Sequence, residues 1–199
     1  MKKLFVASAI ALAFAATGAH AETNVALGKT VTVGGGDFGG ASSTWGDGSL
    51  EWPSTVTDGL FVANGQQWNI GTVFWYVSPT NNPYVEIDLG GAFDVTKITL
   101  QADNNDLYRV SYRDTGGNWN VIADIDPNTA GWGMAQNTIT FASIRATAFR
   151  IADGPGGDCC DSVSEFQAFG VAAIPEPETY AMMLAGLGVL GAVARRRRT

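Results

Sequence analysis

The sequence predicts an all-β fold, a jelly-roll β-sandwich, for the central part of a chain of 199 residues. Two observations predict it: short runs alternate apolar and polar residues, and turn residues separate those runs at regular intervals. The chain contains 25 glycines, which favour tight turns. This part of the chain shows little of the 3.6-residue periodicity of an amphipathic helix.

The predicted strands follow one another in chain order with short connections. The clearest is 84–89 (YVEIDL), in which Val85, Ile87 and Leu89 alternate with polar residues and are expected to face inward. Residues 114–118, which contain two glycines, predict a hairpin turn. The other strand candidates are 25–33, 95–101, 108–112, 119–125, 138–141, 148–151 and 163–169.

The N-terminus has the composition of a secretory signal peptide. Lys2 and Lys3 form a basic region, 4–16 is apolar, and Ala19-His20-Ala21 is an A-x-A cleavage site. We expect signal peptidase to remove residues 1–21, so that the mature chain begins at Glu22. The alternative, an N-terminal transmembrane helix, would need a longer apolar run.

The C-terminal segment 174–199 has three parts in a fixed order. It begins with Pro175, Glu176 and Pro177, continues with an uncharged run, and ends with four arginines, Arg195, Arg196, Arg197 and Arg198. As a helix, 180–194 would be about 22 Å long, against a bilayer core of roughly 30 Å. The predicted transmembrane helix is therefore marginal, with its arginines on the cytoplasmic side of the inner membrane.

This segment closely resembles the PEP-CTERM sorting signal of Gram-negative bacteria. The resemblance implies recognition by an exosortase, removal of the tail, and delivery to the cell surface or the extracellular matrix. The alternative is an ordinary single-pass anchor, which would not need Pro-Glu-Pro at this spacing.

The body between the two signals, 22–173, has 152 residues, enough for one domain. Six of the twelve Lys and Arg residues and two of the nineteen Asp and Glu residues lie outside it, which leaves 6 basic and 17 acidic residues and a net charge of −11. Such a charge repels polyanions, so nucleic acid is not an expected partner. Neutral ligands and divalent cations remain.

Histidine and cysteine usage narrows the chemistry further. The only histidine, His20, lies in the signal peptide, so the mature chain has no Ser-His-Asp triad, Cys-His dyad or His-containing zinc site. Cys159 and Cys160 are adjacent in an oxidising compartment. They could form a vicinal disulfide, pair with another chain or stay free.

Four pieces of the body resemble the discoidin, or coagulation factor 5/8 type C, family, in family order. They are 24–29 (NVALGK), 56–59 (VTDG), 84–90 (YVEIDLG) and 164–170 (SEFQAFG). The resemblance implies a galactose-binding-like jelly roll that binds sugars, lipid headgroups or proteins. The chain departs from the family between 58 and 75, where the segment is longer, and it lacks the terminal cysteine pair of the animal members.

The resemblance also implies a tentative structural Ca²⁺ site. In sugar-binding members, calcium joins the aspartate of the V-D-G element to the glutamate of the last strand, here Asp58 and Glu165. Two carboxylates with backbone carbonyls suit calcium. The alternative is that Asp58 forms an Asx turn and Glu165 is a solvated strand residue.

Tryptophans are the first candidates for ligand contact, because an indole face can stack on a pyranose. Trp45, Trp52 and Trp132 lie among turn residues and are loop candidates, for which packing in the core or at its rim is the alternative to ligand contact. Core packing is expected for Trp119 and for Trp68 or Trp75.

Two polar loops complete the candidate ligand-binding residues. Asp103, Asn104, Asn105 and Asp106 follow a predicted strand and could bind hydroxyls or a cation, although a simple polar turn is the favoured interpretation. Loop 154–161 contains Cys159 and Cys160 and precedes the last strand. In this fold, loops at one end of the sandwich form the ligand site.

These observations favour an exported, non-catalytic carbohydrate-binding module that holds extracellular polysaccharide or another surface glycan. The alternative is a structural or adhesive matrix protein that binds other proteins. A glycoside hydrolase is less favoured, because no spacing singles out a pair of carboxylates.

Overall fold

The computed structural model of the chain describes residues 21–39, 48–76, 80–127, 132–155 and 160–173, together with 181, 184–188 and 190. The predicted signal peptide before Ala21, the Pro-Glu-Pro triplet and the arginine cluster lie outside the described residues. The described residues of the C-terminal segment are helical. Within the described parts of the chain, no helix is both long and apolar enough to span a membrane.

The described body consists of β-strands and one short 3-10 helix, which confirms the predicted all-β class. In chain order the elements are β1 (Thr23–Asn24), β2 (Thr30–Gly34), β3 (Ser49–Leu50), the 3-10 helix Pro53–Thr57, β4 (Ile70–Tyr76), β5 (Tyr84–Asp103), β6 (Tyr108–Arg113), β7 (Trp119–Ile125), β8 (Met134–Asp153) and β9 (Cys160–Ala172).

The strands form one continuous sheet in the order β3-β4-β9-β5-β8-β6-β7, with β1 added on β9 and β2 on β5. Strands β5 and β8 have 20 residues each and pair with each other through register shifts. The first half of β5 pairs with β2, and the second half pairs with β9. We call the half with β2, β6 and β7 the front sheet, and the half with β3, β4 and β9 the back sheet.

The two sheets enclose one hydrophobic core. Val85, Ile87 and Leu89 of the front sheet are fully buried, as their alternation predicts. They join the same cluster as Ile98 and Leu100 of the back sheet. Because both halves of β5 contribute to one core, the sheet folds over itself into the predicted sandwich.

The predicted strand bounds were wrong at three places. The expected strand 25–33 is interrupted, because the Asn24 side chain accepts hydrogen bonds from the Ala26 and Ala168 backbone N–H groups and starts a turn before β2. The expected strands 84–89 and 95–101 are one strand, β5, because a register shift in its pairing with β8 lets it continue past Gly90 and Gly91. The expected strands 138–141 and 148–151 are likewise one strand, β8.

Trp119 was expected in the core, and this expectation was wrong. It is partly exposed on the outer face of the front sheet, with its ring 4.3 Å from the Arg150 guanidinium and 5.8 Å from that of Arg113. A strand has two faces, and the pattern of apolar and polar residues around position 119 does not indicate which face is covered. Trp68 and Trp75 are buried, as expected, at 5% and 0% exposure.

Candidate functional site

A long loop, residues 60–69, lies over the outer face of the back sheet, and we call it the strap. Its Trp68 packs edge-on against Phe74 of β4, with ring centroids 5.3 Å apart. Met134 and Cys160 complete a second hydrophobic cluster under the strap, separate from the main core. Phe74 can reach this cluster because it points away from the core that its neighbours Val73 and Trp75 enter.

A buried side-chain amide fixes the strap to β5. Gln101 is fully buried, and its Oε1 accepts a hydrogen bond from the Val62 backbone N–H at 2.9 Å. Its Nε2 donates to the Val62 carbonyl at 2.9 Å and to Asn64 Oδ1 at 3.1 Å. The Ser164 hydroxyl also donates to Oε1. The amide therefore satisfies both backbone groups of Val62, as a neighbouring strand would.

Two backbone hydrogen bonds connect the strap to the start of β8. The Gly65 N–H donates to the Met134 carbonyl and the Met134 N–H donates to the Gln66 carbonyl, both at 2.8 Å. Gly133 has φ +77°, and a Cβ there would lie 2.2 Å from the Gln66 carbonyl oxygen. Only glycine allows this close approach.

Trp132 comes directly before this glycine and is 59% exposed. The carbonyl of Trp132 lies beside the strap, 3.3 Å from where a Cβ on Gly65 would stand. The exposed indole is therefore attached to a backbone segment that the strap holds in place. This segment is the best candidate for a ligand-contacting surface.

The predicted polar turn begins at the same strand end. Asp103 is the last β5 residue paired with β8, and its partner is Met134. Of the four candidates, Asp103, Asn104 and Asp106 are buried and only Asn105 is exposed. Asn105 is thus the one member whose side chain is open to a ligand in solution.

The buried aspartates surround a tyrosine hydroxyl. Tyr108 is fully buried, and its hydroxyl oxygen accepts a hydrogen bond from the Ser162 N–H at 2.9 Å. Burial raises the pKa of Tyr108 well above its ordinary value, and the negative charges of Asp161, Asp106 and Asp103 raise it further.

The structure brings Asp58 and Glu165 together. The Glu165 carboxylate is fully buried and accepts a hydrogen bond from the Gly59 N–H at 3.3 Å, next to the exposed Asp58. Burial raises the pKa of Glu165 to about 7, the charge of Asp58 raises it too, and the hydrogen bonds from Gln167 and Gly59 lower it.

This pair fits a cation in its chemistry. A positive ion would offset the repulsion between a buried carboxylate and a second carboxylate near it, and calcium prefers such oxygen donors. Among the described residues, no group of three or more His, Cys, Asp or Glu side chains is arranged to hold a metal. The remaining ligands would therefore be backbone carbonyls and water.

Asp58 also has the role that a simple turn predicts. Its Oδ1 accepts a hydrogen bond from the Leu60 N–H at 2.8 Å, which is an Asx turn leading into the strap. Glu165, in contrast, is not the solvated strand residue of the alternative interpretation, since it is fully buried.

The other predicted site residues lie away from Trp132 or outside the described residues. Trp52 is 79% exposed and precedes the 3-10 helix, beside the edge formed by β3 and β4. Cys160 is disulfide-bonded and buried in the cluster under the strap. Trp45 and Cys159 lie outside the described residues, as do all the sorting-signal residues, namely Pro175, Glu176, Pro177, Arg195, Arg196, Arg197 and Arg198.

Neither Gln101 nor the strap that it holds is predicted from the sequence. A glutamine in a strand gives no signal by itself, because an outward-facing polar residue on β5 is also the pattern of a solvated face. Its pairing with Val62, 39 residues away, depends on how the strap folds back.

The fold and the two resemblances define a galactose-binding-like β-sandwich with a sorting signal. Residues 62–151 match the model of the NedA-like, galactose-binding domain of the F5/F8 type C group. Residues 173–198 match the PEP-CTERM protein-sorting motif. Both resemblances are thus confirmed, and the motif indicates an exported protein that is processed at the membrane. The comparison with curated proteins found no match.

Solved structures share the same fold at low sequence identity. A fucose-binding module from Streptococcus pneumoniae, SpX-3, is similar with a TM-score of 0.52 and 14% identity, over 73% of this chain and 96% of that module. A second structure of a Streptococcus pneumoniae fucose-binding module gives 0.51 and 16%, over 74% and 95%. The lectin domain of lectinolysin, in complex with Lewis B antigen, gives 0.51 and 16%, over 76% and 98%.

Proposed function

We propose that this protein is an exported, non-catalytic carbohydrate-binding protein that binds a neutral extracellular polysaccharide or surface glycan. The observation that carries the proposal is Trp132, a 59% exposed indole on a segment fixed by backbone hydrogen bonds to the strap. A flat aromatic face held in place is suited to stacking on the apolar face of a sugar ring. Asn105, exposed after the paired end of β5, can supply hydrogen bonds to hydroxyl groups.

The fold of the neighbours and the charge of the body support this ligand class. The solved structures with the same fold include two fucose-binding modules and a lectin domain in complex with Lewis B antigen. The body's net charge of −11 opposes polyanionic ligands, so a neutral glycan is favoured.

The test is a glycan array probed with the exported protein, followed by affinity measurements on variants. We expect Trp132→Ala to weaken binding to the captured glycan by about tenfold or more, because a stacked tryptophan commonly carries over 1 kcal/mol of binding energy. Trp119→Ala is the matched control, since Trp119 is a partly exposed tryptophan on the opposite sheet, and it should leave affinity unchanged. Binding to no glycan, or equal affinity of Trp132→Ala, would contradict the proposal. Binding to matrix proteins alone would favour an adhesive role.

The proposed route to the surface uses the C-terminal segment. After signal peptidase acts, an inner-membrane intermediate presents Pro175, Glu176 and Pro177 to an exosortase, which removes the arginine tail. Changing the triplet to alanine should leave uncleaved protein in the inner membrane. Equal surface delivery of that variant would argue against this route.

Calcium is the proposed structural ion, held by Asp58 and Glu165. The support is the fully buried Glu165 carboxylate beside the Asp58 carboxylate, in a body with few positive charges. An ion here would tie the turn before the strap to the last strand, since Gly59 already donates to Glu165.

A further inference from the structure

We propose that Gln101 is a positioning residue of the ligand site: its buried amide holds the strap at one fixed place on β5, and the strap in turn fixes Trp132. The inference rests on the proposed glycan binding at Trp132 and adds a residue that no sequence motif marks. Gln101 does not contact the ligand itself in this arrangement, because its side chain is fully covered.

The hydrogen bonds of Gln101 define both the position and the direction of the strap. Oε1 accepts from two donors, the Val62 N–H and the Ser164 hydroxyl, so the amide has one orientation. Nε2 then faces the Val62 carbonyl and Asn64 Oδ1. A slip of the strap by one residue would break the three bonds to Val62 and Asn64. It would leave buried polar groups without partners, which is unfavourable.

Apolar contacts alone would hold the strap with less precision. Trp68 and Val62 already pack into the cluster under the strap, which provides burial but no fixed register. Polar pairing inside a buried contact adds register, as it does in coiled coils. We therefore infer that glutamine at position 101 fixes the register of the strap on the sheet, whereas apolar packing supplies most of the binding of the strap to the sheet.

A short path leads from Gln101 to Trp132. Val62 and Asn64 are fixed by the amide, and Gly65 and Gln66, next along the chain, pair with Met134. Trp132 comes two residues before Met134, with Gly133 packed against the strap in between. Loss of the hydrogen bonds between Gln101 and the strap should let the whole strap shift. The exposed indole of Trp132 would then occupy positions in which it cannot stack on the glycan.

The experiment compares Gln101→Met and Gln101→Glu with Thr99→Val in the full exported chain. Methionine keeps the volume and removes all polar contacts, whereas glutamate keeps the two acceptor contacts and loses the two donor contacts. Thr99 is the matched control, because it lies on the same outer face of β5 and bonds to Thr138, not to the strap. Amide hydrogen exchange of the strap and affinity for the glycan captured on the array are measured for each.

We expect Gln101→Met to raise exchange at Val62 and Gly65 by about tenfold or more, to weaken glycan binding by about tenfold, and to leave exchange in the central strands unchanged. Gln101→Glu, whose second carboxylate oxygen would lie against the Val62 carbonyl and Asn64 Oδ1 in a buried place, should loosen the strap at least as much. Thr99→Val should match the unsubstituted protein. Adding Gln101→Met to Trp132→Ala should weaken binding no further, because both changes act on one contact.

If Gln101→Met leaves amide hydrogen exchange in the strap unchanged, Gln101 does not hold the strap, and the proposal is wrong. Faster exchange with unchanged glycan affinity, or fully additive losses in the double variant, would show that Gln101 only stabilises the strap. If the unsubstituted protein binds no glycan, the proposed function fails and the positioning role fails with it. Binding by the unsubstituted protein that Gln101→Met does not alter contradicts the positioning role alone.

Discussion

The two outer faces of the sandwich are built in opposite ways. The back sheet is covered by the strap, with a second hydrophobic cluster and a buried amide beneath it. Among the described residues, the front sheet is covered by its own side chains: Arg150 lies 4.0 Å from the Tyr84 ring and 4.3 Å from the Trp119 ring, and bonds to Glu86 at 2.7 Å.

Because of this difference, we expect the back face to contribute most to both stability and ligand binding. The front face relies on partly exposed ion pairs and cation–π contacts, each of which contributes little in water. The back face buries large apolar side chains, and the strap that covers it is hydrogen-bonded through its backbone to Met134, two residues after Trp132. We therefore expect substitutions on the back face to change both stability and binding, and those on the front face to change neither by much.

The largest expected effect comes from the cluster under the strap. Phe74→Ala should lower the free energy of unfolding by about 3–5 kcal/mol, because Phe74 is 1% exposed and its removal leaves a cavity next to Trp68. Urea denaturation measures this loss. A loss below about 1 kcal/mol would mean that the strap is not part of the cooperative fold, and the contrast between the faces would disappear.

The next effect is the pH dependence contributed by Glu165. Its pKa is raised from 4.5 to about 7 in the folded protein by burial first, so the folded state binds a proton that the unfolded chain has already lost. Without calcium, the free energy of unfolding should therefore fall as the pH rises from about 4.5 to 7, by up to about 3 kcal/mol in total, and then level off. Denaturation in EDTA between pH 4 and pH 8 measures this slope.

Glu165→Gln serves as the control and should remove that part of the slope. Calcium at pH 8 should restore stability to the unsubstituted protein and not to Asp58→Ala or Glu165→Gln, with magnesium less effective because it prefers a tighter shell. An identical pH slope in Glu165→Gln would show that the carboxylate titrates normally. If neither calcium nor EDTA changes the melting temperature, the proposal that Asp58 and Glu165 hold a calcium ion is wrong.

The smallest effect belongs to the front face. Arg150→Met should lower the free energy of unfolding by about 1 kcal/mol, since it removes stacking on two rings and an ion pair with Glu86. Arg109→Met, which removes the exposed pair with Asp124, should leave the urea midpoint unchanged. If Arg150→Met lowers the free energy of unfolding as much as Phe74→Ala does, the two faces do not differ in their contribution to stability.

The alternating pattern determined which side of the front strands is buried. Val85, Ile87 and Leu89 face the core because side chains alternate across a strand, and the hairpin at 114–118 forms because its glycines permit the turn. The V-D-G and S-E-F elements likewise placed Asp58 and Glu165 close together. These features are local or carried by motifs, so the sequence was sufficient for them.

The tertiary structure alone decided where strands continue, what covers each outer face and which polar residues are buried. β5 runs through Gly90 because β8 pairs along it, and Trp119 stays outside because nothing covers the front sheet among the described residues. Gln101 acquires its partners only when the strap folds back over β5. Each of these outcomes depends on contacts between residues far apart in the chain, and such contacts leave no periodicity or spacing in the sequence itself.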